Sequence, residues 1–156
     1  MIHTSSSKGF TLIDTLIALA IVAVIAVIGV ASLSNVNKQD ALTAEAEKII
    51  TLLTRARSLT LEAKNATVYG VHFETQNAVL FTGSTYTSGS VGNHIQRLND
   101  AVKISSIALI GGGSDVLFQK LTGATSQSGT VRLSVTSNAN ASTTITIAGT
   151  GTAYSN

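Results

Sequence analysis

Cysteine is absent from the 156-residue chain, which removes disulfide frameworks, thiolate metal sites and cysteine nucleophiles from consideration. Proline is absent too, so no helix carries a proline kink or stop. Charge is scarce: 12% of residues are Asp, Glu, Lys or Arg, and the formal net charge is +2. So small an excess does not by itself point to nucleic acid. A chain of this length holds one modest domain plus one anchor and has no room for two independent cores. Ser and Thr are abundant after residue 82 while charge thins out, a composition suited to short strands and polar loops facing an extracytoplasmic solvent.

What the chain does have is one long apolar run. From Thr15 to Val36 no residue is charged, and the 18 positions from Leu16 to Leu33 are almost wholly Ile, Val, Ala and Leu. At 1.5 Å per residue they span about 27 Å, close to the hydrocarbon core of a bilayer, so the run predicts a membrane-spanning helix. Lys8, just before it, favours a cytoplasmic N-terminus. Asp14 stands inside the start of the run, where an ionised group costs about 2.5–3.5 kcal/mol at a membrane helix centre. Its presence asks for a reason.

After the run, Leu42, Ala46, Ile49, Leu53 and Ala56 recur four and three residues apart among charged neighbours, which draws one apolar stripe on a helix. No Gly or Pro interrupts the chain between Val30 and Asn65. The pattern therefore predicts one continuous helix from about Phe10 to Ala63, roughly 80 Å long, apolar all round in its first half and amphipathic in its second. Beyond it, "ATVYGVHF", "AVLFT", "VKISSIALI", "DVLFQKL", "TVRLSVT" and "TTITIAG" predict about six short strands. The Gly-, Ser- and Thr-rich segment from Gly83 to Asn93 reads as a loop.

Catalysis finds little support. His3, His72 and His94 lack metal-ligand spacing and read as ordinary histidines. The Gly111 to Gly113 run is not followed by Lys-Ser or Lys-Thr, so it is turn chemistry and not a phosphate cradle. Asn65-Ala66-Thr67 and Asn140-Ala141-Ser142 match the glycosylation acceptor pattern, which is common by chance. No enzyme and no cofactor is expected.

The informative constellation is Lys8-Gly9-Phe10-Thr11-Leu12-Ile13-Asp14 followed at once by the apolar run. It resembles the class III signal of type IV prepilins and type II secretion pseudopilins. The resemblance implies cleavage between Gly9 and Phe10 by a prepilin peptidase, loss of the leader 1–9, and methylation of the new Phe10 amine. Losing Lys8 takes the ten cations to nine, against eight anions. It also implies that the Asp14 carboxylate meets the N-terminal ammonium of a neighbouring subunit during assembly, so that pairing in low dielectric offsets the burial of either charge. A wrong axial register would leave both unpaired. The family's usual residue at this place is Glu, and Asp shortens the reach by one methylene. A rival reading takes residues 1–31 as an ordinary secretory signal cut after Gly29-Val30-Ala31. An acid inside so long a run, and a helix continuing through the cut, speak against it.

Phe118, Gly123, Gly129 and Gly149 fall where the globular part of GspH/FimT-type minor pseudopilins has a Phe-x-x-x-x-Gly segment, a Gly-Thr-Val strand and a last strand ending in Gly. Some FimT-like members bind DNA through basic residues around that final glycine, whereas this chain ends "AGTGTAYSN" with no Arg or Lys after Arg132. Arg55, Arg57, Arg97, Lys103, Lys120 and Arg132 are scattered in sequence; among them Arg97, Lys103, Lys120 and Arg132 are the candidates for weak anion or DNA contacts.

The expectation is an α+β, pilin-like lollipop: a leader over 1–9, a transmembrane or filament-core helix over 10–36, an amphipathic half over 37–64, and a small antiparallel β-domain over 65–156. The expected role is a minor pilin or pseudopilin, a structural subunit at the start or tip of a type IV pilus or type II secretion pseudopilus. Expected partners are other pilins, the prepilin peptidase, assembly-platform proteins and inner-membrane lipid, with the β-domain outside the cytoplasm. The alternative is a membrane-tethered module that captures DNA or another ligand.

Overall fold

The computed structural model describes residue 9, residues 11–62 and residues 67–156, and within the first helix the side chains of 12–26 and 38–62. Helix α1 covers Leu12–Glu62 and is followed by β1 (Tyr69–Phe73), β2 (Asn77–Thr82), β3 (His94–Arg97), β4 (Val102–Leu109), β5 (Asp115–Leu117), β6 (Gly129–Val135), β7 (Asn138–Ile147) and β8 (Ala153–Ser155). The chain divides within α1 into two compact units, Met1–Asn37 and Lys38–Asn156.

In the first unit, the described helical stretch 12–26 turns its large apolar side chains outward on every side, from 55% exposed at Ile17 and Ile21 to 80% at Leu12. This unit corrects the expected fold. Among the described residues no helix is long and apolar enough to cross a membrane, so the pilin-like fold with a transmembrane first half does not hold. The described apolar stretch is about 22 Å long at the standard rise, short of the roughly 30 Å of a bilayer core, and it includes Asp14. The sequence count reached its span only by running on to Leu33, through residues whose side chains lie outside the description.

In the second unit the β part has eight strands, against about six expected, arranged in two four-stranded sheets. Sheet A has the order β3-β2-β1-β5 and sheet B the order β4-β6-β7-β8, with every pairing antiparallel. Strands β3 and β8, which the alternation did not pick out, are short edge strands. The helical stretch 38–62 buries its stripe of Leu42, Ala46, Ile49, Leu53 and Ala56, each at most 1% exposed. These side chains share one core with Val71, Phe73 and Val116 of sheet A and Val131, Leu133, Ile145 and Ile147 of sheet B. Period-two alternation thus delivers one face of each sheet to the helix.

Two devices tie the layers. Thr60, fully buried on the last turn of α1, accepts the Tyr69 N–H at 3.0 Å and donates to the Ala56 carbonyl at 2.9 Å, which fixes where β1 leaves the helix. The Ile104 N–H donates to the Thr75 carbonyl at 2.9 Å and joins β4 to the β1–β2 turn. A bulge sits next to that bond, between Ile104 and Ser106, and re-aims β4. Sheet B admits only glycine at 129, since a Cβ there would lie 2.1 Å from the Ala108 carbonyl oxygen across the β4–β6 pair.

Candidate functional site

The head of α1 is built by a reciprocal cap. Thr11 precedes the first helical turn and Asp14 falls three residues on, the spacing of a capping box with Asp in place of Glu. The Thr11 N–H and hydroxyl donate to Asp14 Oδ2 at 3.0 and 2.7 Å, and the Asp14 N–H donates back to the Thr11 carbonyl at 3.1 Å. The hydroxyl first and the amide second hold the Asp14 carboxyl below the usual carboxylate range, because both hydrogen bonds favour the charged form. The anion also lies at the positive end of the helix dipole. Gly9 is exposed; Phe10, expected to carry the new amine, and Lys8 lie outside the described residues.

Below this cap, nine large apolar side chains between Leu12 and Ile25 are at least 55% exposed. Ile17, Ala20, Ile21, Val24 and Ile25 flank a shallow apolar groove of about 330 Å³ along one side of the helix. The small Ala20 leaves a hollow between larger neighbours, the shape into which a side chain of another helix inserts. An apolar surface of this extent marks a site to be covered.

The four candidate anion-binding cations do not form one patch. Arg97 ends β3 in sheet A and lies 3.5 Å from the exposed Asp100 carboxylate. Lys103 and Arg132 belong to β4 and β6 of sheet B, and Arg132 Nη2 donates to Ser142 Oγ at 2.7 Å. Lys120 sits in the turn after β5. Arg57 is spent inward, its Nε donating to the Gly123 carbonyl at 3.1 Å.

Sheet A carries a polar cluster that sequence reading missed. His72 and Asp115 are direct cross-strand partners on β1 and β5, which puts His72 Nδ1 2.5 Å from Asp115 Oδ1. The other ring nitrogen lies 3.9 Å from Glu74 Oε1. Tyr86, from the β2–β3 loop, stacks on the imidazole with ring centroids 3.9 Å apart and donates its hydroxyl to Glu74 at 3.1 Å. Asn77 donates to the other Glu74 oxygen at 2.9 Å. The Asn77 amide, then the Tyr86 hydroxyl and the nearby His72, lower the Glu74 pKa against the opposing effect of burial. Both imidazole nitrogens face carboxylates and the tyrosine hydroxyl is taken up by Glu74, so the cluster clamps a loop to a sheet. No group of three or more His, Cys, Asp or Glu suited to a metal ion occurs among the described residues. The only sequence signal for the clamp was Glu74 two positions after His72, just past the end of β1, with the other partner, Asp115, 43 positions away.

No protein-family model matches the chain, and neither curated proteins nor solved structures yield a match.

Proposed function

We propose that the protein is a minor pilin- or pseudopilin-like structural subunit of a type IV pilus or type II secretion pseudopilus, acting where the filament starts or at its tip. The observation that carries this reading is the capped apolar stretch: Thr11 and Asp14 head a helix whose large side chains are exposed on all sides, directly after Lys8-Gly9-Phe10. Packing against like helices gives these nine side chains close partners, and the Asp14 carboxylate suits a neighbouring amine. The helix supplies assembly, and the β-domain lies outside the cytoplasm. Other pilin-like subunits, a prepilin peptidase and assembly-platform proteins are the partners this role requires. The dispersal of Arg97, Lys103, Lys120 and Arg132 over separate elements gives the DNA-capture alternative no comparable support.

The test is the intact mass and N-terminal sequence of protein isolated from its native host. A start at Phe10 with a methylated amine is expected; a start at Met1 or at Ser32 overturns the reading. In the same host, Asp14→Ala should be processed normally yet enter sheared filaments poorly.

A further inference from the structure

The outer face of sheet B has a chemistry of its own. Cross-strand register aligns Ala108, Thr130, Thr146 and Tyr154 in one row across β4, β6, β7 and β8. The same row lines a shallow, open groove of about 620 Å³ together with Ile110, Gly129 and Gly149. The flanking residues Ile145, Ile147 and Ala153 point the other way, into the core, so Tyr154 stands outward, half exposed. The next row is Ser106, Arg132 and Thr144, with the exposed Arg132 bonded to Ser142.

Charge is segregated around this face. The chain has eight acidic residues, and none lies in β4, β6, β7 or β8; the sheet's two charged residues are Lys103 and Arg132. A ligand seated here therefore meets an aromatic ring, hydroxyls at strand spacing of about 4.8 Å, and the side-chain cations Lys103 and Arg132. We propose that this face binds an acidic polysaccharide, with a sugar ring laid on Tyr154, ring hydroxyls met by Thr130 and Thr146, and a uronate carboxylate on the Arg132 guanidinium. The apolar parts of the groove suit the C–H face of a pyranose, and the guanidinium fork suits a carboxylate. A nucleic acid fits less well: two cations neutralise too few phosphates to hold a strand at physiological salt. The proposal rests on sheet B alone and is independent of how the helix assembles.

The test uses the full chain in mild detergent, titrated by calorimetry with polygalacturonate, with the neutral polymer dextran, and with single-stranded oligothymidylate. Binding of polygalacturonate but not dextran is expected, weakened at least about tenfold in Arg132→Gln and in Tyr154→Ala. Circular dichroism checks that each exposed-site variant keeps its fold, and Thr146→Val serves as a third variant of the same row. Preference for the oligonucleotide, no binding of any polymer, or unchanged binding by all three variants overturns the proposal.

Discussion

Thr11 and Asp14 satisfy one another across the first turn of α1, with both Thr11 donors on a single carboxylate oxygen at 3.0 and 2.7 Å. Asp14 is therefore not a bare anion waiting for a partner. A carboxylate has about four acceptor positions, so an incoming amine could share it with Thr11 without breaking the cap.

Thr11→Val removes the hydroxyl donor, the larger of the two interactions that favour the ionised form. The Asp14 carboxyl should titrate at higher pH than in the parent, measured by carbon NMR of the side-chain carboxyl in detergent. Amide protection at Asp14 and Thr15 should fall in the same variant, since the turn loses part of its cap. An unchanged titration would mean that the hydroxyl does not hold the carboxylate.

Glu74 gives a pH dependence whose sign follows from its contacts. Its folded-state pKa lies below the ordinary glutamate value, chiefly through the Asn77 amide. Between the folded and unfolded values the unfolded chain binds more protons, so stability rises with pH across that interval. The contribution is complete above the unfolded value, about pH 4.3, and is lost as pH falls through the folded one. Urea midpoints should therefore drop on acidification below about pH 4, and Asn77→Ala should shrink that drop. Equal drops in the parent and in Asn77→Ala would exclude the amide as the cause.

The apolar stripe and the longer strands of the second unit were legible because each depends on local periodicity: Leu42, Ala46, Ile49, Leu53 and Ala56 repeat at helical spacing, and Val131, Leu133 and Val135 alternate. The division of the strands into two sheets was not legible. It depends on non-local pairings such as β1 with β5 and β4 with β6, which no local period encodes. β3 and β8 escaped because His94–Arg97 and Ala153–Ser155 are too short and too exposed to alternate. The expected membrane-spanning helix is not found among the described residues: the apolar letters do fall within α1, but the described apolar stretch ends at residue 26, short of a bilayer core. His72, Asp115 and Tyr86 come from three segments, so their meeting could only be seen in the fold.

Thr60→Val keeps the shape of a fully buried side chain and deletes one oxygen. The Tyr69 N–H, 3.0 Å from that oxygen, would be left without its partner inside the protein. An unsatisfied buried donor costs about 1–3 kcal/mol, so the urea midpoint should fall with an unchanged slope. A neutral result would mean that water reaches the helix–strand junction.

Gly151 has φ +80°, and a Cβ there would sit within bonding distance of the Gly123 carbonyl oxygen, the atom that also accepts from Arg57 Nε. Gly151→Ala therefore combines left-handed strain with a backbone clash, for an expected loss of about 2–4 kcal/mol. Thermal unfolding reads this as a drop of several degrees. Arg57→Ala, which removes the hydrogen bond and the side chain's packing but introduces no clash, should cost less than the glycine change; the reverse order would refute the close-packing account.

Glu45 lies on the buried side of α1, 3% exposed. One carboxylate oxygen takes the Lys48 ammonium at 2.8 Å, while the other is buried and has no hydrogen-bond partner. A half-satisfied buried carboxylate is a poor stabiliser, because desolvation rivals what one ion pair returns. Glu45→Met should thus be neutral or stabilising by about 1 kcal/mol, and Lys48→Ala should be destabilising because it strands the charge. In the Glu45→Met background Lys48→Ala should do almost nothing, since Lys48 is half exposed and its partner is gone. A double-mutant cycle in urea measures all three. Clear destabilisation by Glu45→Met would show that the second oxygen is engaged after all, and would turn attention to what binds there.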